Sequence, residues 1–197
     1  LLRHESIARI VVAELDAEVV RLTHEYLPQV HGGAFDDPRV ELVIGDAADF
    51  VAGTQETFDL VVFDLTPPDS PAAGLYTSTF YEQLKRVMNP DAVLSMHLGA
   101  PFFHGQRVAA LLEDLRKAFA VVRPMNTFVP LYGSLWMMTT ASATLDPTAL
   151  SRAELSERLA ARRIDGLAWY DADAHAGLFS ASRAVRDKLS QFLKPVR

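Results

Sequence analysis

Short apolar runs, separated by polar turns, divide most of the chain into alternating strands and helices. The aliphatic and β-branched runs predict strands at residues 9–14, 40–44, 58–64 and 92–97. Helices are predicted between and after them, at residues 17–26, 47–52, 79–88 and 106–119. Two more apolar runs, at residues 120–123 and 135–140, predict further strands. Strands that alternate with helices are typical of βαβ units, so the pattern predicts an α/β fold with a parallel sheet.

The end of the chain follows a different pattern. Residues 141–150 are a loose linker, and helical patterns follow at residues 152–163 and 181–193. We therefore predict an α/β domain at residues 1–140 and a C-terminal helical extension at residues 141–197 that packs on the same domain.

Composition narrows the class of protein. The 197 residues carry a formal charge of −6, which argues against nucleic acid as a partner and suits a cationic small substrate. The absence of cysteine excludes a disulfide or a thiolate metal site and fits a reducing cytoplasm. The six histidines lack metal-ligand spacing. No apolar run approaches the roughly 18 residues of a membrane span. Because Leu1 is not an initiator Met, we expect further chain before it.

Three predicted strands each deliver an acidic residue to the point where the strand ends: Glu14, Asp46 and Asp64. In open α/β sheets, ligands bind beyond the carboxyl ends of the strands. One carboxylate there can accept hydrogen bonds from both hydroxyls of a ribose, and the next can accept one from an adenine amino group. The third would face the reacting centre. The competing interpretation is that Glu14 and Asp46 only cap helices.

Strand ends and loops together carry a resemblance to a known family. The matching stretches are residues 14–16 (Glu-Leu-Asp), 26–28 (Tyr-Leu-Pro), 35–40 (Phe-Asp-Asp-Pro-Arg-Val), 45–47 (Gly-Asp-Ala), 58–64 (Phe-Asp-Leu-Val-Val-Phe-Asp) and 80–81 (Phe-Tyr). Over residues 1–140 the chain resembles the polyamine aminopropyltransferases, the spermidine synthase family. Residues 64–65 and 167–183 look closer to the thermospermine synthase branch. The resemblance implies a Rossmann-like, class I methyltransferase-like fold with a mostly parallel twisted sheet flanked by helices.

The same resemblance implies an activity and a set of site residues. The activity is aminopropyl transfer from decarboxylated S-adenosylmethionine to a polyamine, with release of methylthioadenosine and no metal or other cofactor. Glu14 matches the acid that binds the donor ribose. Asp46, with the Ala47 backbone beside it, matches the group that binds adenine. Asp64 matches the catalytic aspartate, and Tyr132 falls where a family tyrosine lines the acceptor site. The family also implies a homodimer.

The chain departs from the family's pattern near the acceptor. The family's Gly-rich donor loop and small N-terminal β-domain would precede Leu1. Pro67 replaces the second acid of the catalytic loop, and Asp69 is the acid that could substitute for it. His97 stands where the family commonly has glutamine, which makes it a candidate acceptor contact or, equally, a structural histidine. Tyr76 is a candidate for the acceptor channel, with plain packing as its alternative.

The implied reaction is attack by an amine on the propyl carbon beside a sulfonium. An amine of pKa about 10.4 is only roughly one part in two thousand unprotonated at neutral pH, a cost of roughly 4–5 kcal/mol. Asp64 can attract the amine, orient it and accept its proton as the bond forms. Burial at the sheet edge would make Asp64 a stronger base. The proline-rich segment that follows predicts a stiff gate over the site.

Two other functions remain open. A methyltransferase that uses S-adenosylmethionine shares the sheet and the ribose acid. A non-catalytic homologue that binds polyamines or nucleosides would accommodate Pro67. The pattern favours the core over a ligand surface for Trp136. For Asp171 and Asp173 it favours turn or cap roles over attraction of a distal amine.

Overall fold

A computed structural model of the chain describes residues 1–68 and 70–193. Within these residues the strands are β1 (Ile10–Glu14), β2 (Val40–Ile44), β3 (Phe58–Phe63), β4 (Met88–Gly99), β5 (Val121–Val129) and β6 (Ser134–Ser142). The helices are α1 (Ala17–Tyr26), α2 (Pro28–His31), α3 (Ala47–Gly53), α4 (Ser78–Leu84), α5 (Gly105–Ala118), α6 (Arg152–Ala161), α7 (Ala172–Leu178) and α8 (Arg183–Ser190).

The chain divides into two compact units. Unit 1 comprises Leu1–Thr54 and Arg158–Gly166, and unit 2 comprises Gln55–Glu157 and Leu167–Arg197. The domain boundary predicted between residues 140 and 141 stays a prediction.

The two strands of unit 1 pair in parallel. Their register runs from Ile10 opposite Val40 to Glu14 opposite Ile44. Because β1 and β2 run in the same direction and end together, Glu14 and the residues after Ile44 emerge at the same edge. Val51 is the one buried side chain among the described residues of this unit.

An arginine ties the segment before β1 to the turn before β2. Arg39 donates to the Asp37 carboxylate through Nε at 3.0 Å and Nη2 at 2.8 Å. Its Nη2 also donates to the Leu2 carbonyl at 3.1 Å, and its Nη1 to the Ile7 carbonyl at 3.4 Å. The side-chain hydrogen bond from Arg39 lowers the pKa of Asp37 to about 2.

Unit 2 contains a four-stranded sheet of order β3-β4-β6-β5. The pair β3–β4 is parallel, whereas β4–β6 and β5–β6 are antiparallel. The α/β fold class is therefore confirmed, with a mixed sheet in this unit. The β5–β6 pair is antiparallel because only the short turn Pro130–Tyr132 and Gly133 separate the two strands, and a parallel crossover needs a dozen or more residues.

One face of the unit 2 sheet forms the core. Alternate residues of β4 (Leu94, Met96 and Leu98) are buried, as the two-residue period of a strand requires. Helix α5 contacts β4 and β5, and α4 contacts α5. These helices contribute the buried side chains Phe80, Tyr81, Leu84, Val108, Leu111, Leu112 and Leu115. Burying each such side chain stabilises the fold by about 1.5–3 kcal/mol.

Some predicted bounds differ from those observed. The helix predicted at residues 79–88 is α4 followed by a 3₁₀ turn, Lys85–Val87, and β4 already begins at Met88. The prediction missed α7 altogether. The Asp171 side chain caps α7 by accepting the Ala174 N–H at 2.7 Å, which confirms the cap role predicted for that residue.

Candidate active site

The first predicted acid, Glu14, is the last residue of β1 and is half-buried. Its Oε1 accepts the backbone N–H of Asp16 at 2.9 Å, and Asp16 in turn caps α1. A carboxylate offers about four acceptor sites, so this local bond leaves acceptor capacity for a ligand.

Asp46 follows β2 through Gly45, whose φ of 155° favours glycine. The Asp46 side chain is exposed and accepts the Ala48 N–H at 2.7 Å, so Asp46 is the N-cap of α3 and Ala47 is its first residue. The alternative predicted for the two acids, that they cap helices, is therefore partly correct. Capping uses one acceptor site of a carboxylate and does not exclude a ligand.

Asp64 stands directly after β3, in unit 2. The residue before it, Phe63, is buried between the rings of Tyr76, Phe80 and Tyr81, with centroids 6.1–6.4 Å away. This packing fixes the strand end, while the Asp64 side chain itself is exposed. The expected burial of Asp64 is wrong, because the aromatic cluster ends one residue earlier.

Two side chains hold the loop that follows Asp64. Nε2 of His97 hydrogen-bonds to the Leu65 carbonyl at 2.7 Å, and since a carbonyl only accepts, the ring donates. The Tyr76 hydroxyl donates to the Thr66 carbonyl at 2.9 Å. We call these two bonds the loop clamp. They fix two successive peptide groups next to Asp64.

The state of Tyr76 suits its donor role. Burial raises the pKa of its hydroxyl, Arg107 lowers that pKa to a smaller extent, and Asp64 raises it. The phenol therefore keeps its proton at neutral pH and can donate to the loop. Tyr76 is both packed and bonded to the loop after Asp64, so the packing alternative accounts for only part of its environment.

The register of the sheet brings His97 to the same edge as Asp64. Phe63 lies opposite Met96 in the parallel pair β3–β4, so the next residue of each strand projects at the same end. The His97 ring stacks on Trp136, with centroids 5.9 Å apart and planes at 25°. Trp136 in turn contacts Tyr132 at 4.4 Å. We call these three rings the aromatic column.

The predicted site residues are divided between the two units. Glu14, Asp46 and Ala47 lie in unit 1, and Asp64, Tyr76, His97 and Tyr132 lie in unit 2. Asp69 lies outside the described residues.

Sequence reasoning missed Trp136, which was assigned to the core. It is half-buried, whereas its neighbour Met137 is buried on the opposite face. Strand alternation puts these two neighbours on opposite faces, but the sequence does not show which face is the core.

A cavity elsewhere in unit 2 is separate from these residues. It lies at the beginning of α5, and its lining includes Phe102, Arg107, Lys188 and Phe192. Asp64, His97 and Trp136 do not line it. Within the described residues, no group of three or more His, Cys, Asp or Glu side chains is arranged to hold a metal ion. None of the described helices is long and apolar enough to cross a membrane.

Comparison with known structures defines the fold class first. Human methyltransferase-like protein 13 in complex with SAH matches with a TM-score of 0.58 and 18% identity, over 83% of this chain and 74% of that one. At this identity the match shows the fold alone. A spermidine synthase in complex with the transition-state analogue AdoDATO matches more fully, with a TM-score of 0.85 and 26% identity over 96% of this chain and 64% of that one.

Sequence comparison then defines the family. The spermine/spermidine synthase domain profile matches residues 1–151. The polyamine aminopropyltransferase of Nitrosomonas europaea is 41% identical over 196 residues, which is 100% of this chain and 60% of the relative. The chain belongs to the spermine/spermidine synthase family, and the family resemblance of the sequence is confirmed. The chain spans 60% of the length of this relative.

Proposed function

We propose that the protein transfers an aminopropyl group from decarboxylated S-adenosylmethionine to a polyamine and releases methylthioadenosine. The observation that carries the proposal is Asp64, an exposed carboxylate at the end of a packed strand, followed by a loop that two side chains hold. Membership of the family supports it, as do a relative named polyamine aminopropyltransferase and a spermidine synthase structure with a transition-state analogue.

The donor is assigned to unit 1. Glu14 accepts the ribose hydroxyls, for which its remaining acceptor capacity is suited. Asp46 accepts the adenine amino group, with the Ala47 backbone at the start of α3 beside it. The donor is a co-substrate, and the proposal requires no metal.

The chemical step is a displacement. The amine nitrogen forms a bond to the propyl carbon beside the sulfonium, and the carbon–sulfur bond breaks with its electron pair retained by sulfur. Methylthioadenosine leaves as a neutral molecule, and the proton of the new ammonium passes to Asp64 or to water. Because Asp64 is exposed, its main contribution is to attract and orient the cationic amine. Holding the two reactants in line supplies about 7–11 kcal/mol in well-oriented systems.

The acceptor is assigned to unit 2. His97 positions the loop through the Leu65 carbonyl and Tyr76 through the Thr66 carbonyl, and Tyr132 presents an exposed ring. Asp69 is retained as a candidate for a second ammonium. We further propose a cytoplasmic homodimer, with no nucleic acid or membrane partner; sedimentation of the full-length protein tests the dimer.

Product analysis tests the proposed function. The full-length protein is incubated with decarboxylated S-adenosylmethionine and a panel of diamines and polyamines, and the products are identified by mass. The proposal predicts methylthioadenosine together with an amine one aminopropyl unit longer. S-adenosylhomocysteine from S-adenosylmethionine would instead indicate a methyltransferase. Amine binding without any turnover would indicate a non-catalytic binding protein.

A further inference from the structure

The cavity at the beginning of α5 takes no part in the proposed aminopropyl transfer. Its volume is about 610 Å³, which lies within the range of roughly 300–1,000 Å³ that is usual for small-molecule sites. Helices α5 and α8 contact each other in unit 2, and the rings of Phe102, Phe103 and Phe192 are part of the cavity lining. All three rings are partly exposed, so the cavity offers an apolar surface to a ligand.

The Phe192 ring is a fixed wall of this cavity. It packs against the backbone at Gly105, the first residue of α5, where an added Cβ would lie only 2.9 Å from the ring atom Cε2. A Cβ cannot be placed that close to the ring unless the ring moves. The Phe192 N–H donates to the Leu189 carbonyl at 2.9 Å, which continues the end of α8. The two helices therefore hold the ring in place.

Two cationic side chains border the same cavity. Nζ of Lys188 lies 5.6 Å from the centroid of the Phe192 ring, and none of the ion pairs within the described residues includes Lys188. Arg107 also lines the cavity, with Nη2 3.0 Å from the position that a Cβ of Gly99 would take. Gly99 has a φ of 108°, which favours glycine, and it leaves room for this guanidinium at the end of β4. No described residue that lines the cavity is acidic, although the whole chain carries a charge of −6.

Rings and cations together restrict the chemistry of the ligand. Two cations repel a polyamine, so the cavity does not suit the proposed acceptor. A phosphate accepts charge-assisted hydrogen bonds from Lys and Arg side chains. Nucleobases stack on aromatic rings whatever their identity. A nucleoside phosphate combines both groups in one molecule, whereas a nucleoside would leave the cations unused and a free phosphate would leave the rings unused.

We propose that this cavity binds a nucleoside phosphate, with the base against the phenylalanine rings and the phosphates at Lys188 and Arg107. The site differs from the proposed donor site, because the carboxylates of Glu14 and Asp46 repel a phosphate. The inference does not depend on the proposed aminopropyl transfer, and either one can fail without the other.

Calorimetry of the full-length protein with guanosine diphosphate tests this site. Guanine is the chosen base because it presents a carbonyl where adenine has its amino group, so it lacks the donor that Asp46 would accept. Binding should be saturable. It should be about tenfold or more tighter than that of guanosine or of inorganic diphosphate, since each of these lacks one part of the contacts.

Variants at the cavity separate the role of the charge from that of the ring. Lys188→Gln should weaken binding about tenfold by removing a charged donor to the phosphates, and Lys188→Arg should bind nearly as well as the wild type. Phe192→Leu should weaken binding about fivefold or more by removing a stacking surface. Lys117→Gln, in the last turn of α5, is the matched control for the lost charge, and Phe128→Leu, exposed on β5, is the control for the lost ring. Neither residue lines the cavity, so both variants should bind normally.

Amide chemical shifts locate the bound ligand. Guanosine diphosphate should shift the signals of Gly105 and Gln106, which line the cavity, and leave those of Glu14 and Asp46 in place. Equal affinity for guanosine diphosphate and inorganic diphosphate would overturn the inference, because the rings would then make no contact. Absence of saturable binding, or shifts at Glu14 and Asp46 instead, would also overturn it. None of these results affects the product analysis that tests aminopropyl transfer.

Discussion

The two units fix their acidic side chains in different ways. In unit 1, Glu14 and Asp46 each bond a backbone N–H two residues further along, so neighbouring sequence decides where the carboxylate points. In unit 2, the loop after Asp64 is held by His97 and Tyr76, which bond carbonyls 32 and 10 residues away in sequence. The first arrangement is local, and the second depends on the tertiary fold.

The two units also differ in how many side chains they bury. Unit 1 has Val51 as its one buried side chain among the described residues, whereas several residues of unit 2, including Tyr81 and Leu112, have almost no exposure. Unit 1 instead exposes large apolar side chains: Val12, Leu15, Val19, Leu22, Tyr26, Leu27, Val30 and Ile44. A two-stranded sheet alone is marginally stable in water. Carboxylates that are held by neighbouring backbone N–H groups therefore need little core. A loop that is held by residues distant in sequence needs a rigid core.

Replacing the carboxylate of Asp64, for which we propose a catalytic role, gives the largest expected effect. Asp64→Asn should lower kcat about a thousandfold, because the amide neither attracts the ammonium as strongly nor accepts its proton. The midpoint of urea unfolding should stay the same, since the side chain is exposed. Asp187→Asn, at an exposed position of α8, is the matched control and should leave kcat unchanged. Near-normal turnover by Asp64→Asn would contradict the assigned role.

Shortening one leucine side chain in each unit tests whether the two cores differ in packing. Leu112→Ala in α5 should cost about 2–5 kcal/mol in the free energy of unfolding, because it leaves a cavity in a close-packed core. Leu22→Ala in α1, at a side chain that is 43% exposed, should cost less than about 1 kcal/mol. Urea unfolding measures both, and equal costs would mean that the two units are packed alike.

Substitutions at His97 test whether the loop clamp matters for chemistry. His97→Phe keeps a ring against Trp136 but loses the donor to the Leu65 carbonyl, and kcat should fall roughly ten- to hundredfold as the loop is misplaced. His97→Gln restores an N–H donor and should recover much of kcat. The two variants should unfold at similar urea concentrations. If glutamine were no better than phenylalanine, the bond to Leu65 would not position the loop.

Glu14→Gln tests the donor side. Glutamine retains an oxygen for the Asp16 N–H, so the local hydrogen bond survives, but it loses the charge that strengthens hydrogen bonds to a ribose. Affinity for methylthioadenosine, measured by calorimetry, should fall about tenfold. Glu18→Gln removes an exposed carboxylate of α1 and should bind normally. Unchanged affinity of Glu14→Gln would remove the ribose assignment.

The smallest expected effect is a loss of stability in acid, as the Asp37 carboxylate of unit 1 becomes protonated. Hydrogen bonds from Arg39 hold the pKa of Asp37 at about 2, below its unfolded value. The stabilisation is therefore present above about pH 4, and it is lost as pH falls through about 2. NMR should show the Asp37 carboxyl titrating near 2, and amide protection of β1 should fall over the same range. A titration midpoint near 4 would mean that the Arg39 bonds are absent in solution.

The contrast between local and distant contacts also explains what the sequence could predict. The strand-end rule and local capping locate Glu14 and Asp46, and the apolar run locates Asp64. The bond from His97 to Leu65 is invisible without knowing that β3 and β4 are neighbours.

Side-chain environments were harder to predict than strand ends. Trp136 lies in an apolar run whose two faces cannot be told apart before its partner strands are known. The exposure of Asp64 was also beyond prediction, because it depends on where the aromatic packing around Phe63 ends.

The central claim is that unit 1 binds the adenosyl group, whereas the loop after Asp64 and the aromatic column bind the amine. Chemical-shift mapping on the isotope-labelled full-length protein tests this claim most directly. Methylthioadenosine should shift the amide signals of Glu14, Asp46 and Ala47, and later addition of spermidine should shift the Leu65 amide and the Trp136 indole N–H. Methylthioadenosine shifts confined to the cavity at the beginning of α5, with Glu14 and Asp46 unaffected, would contradict the account.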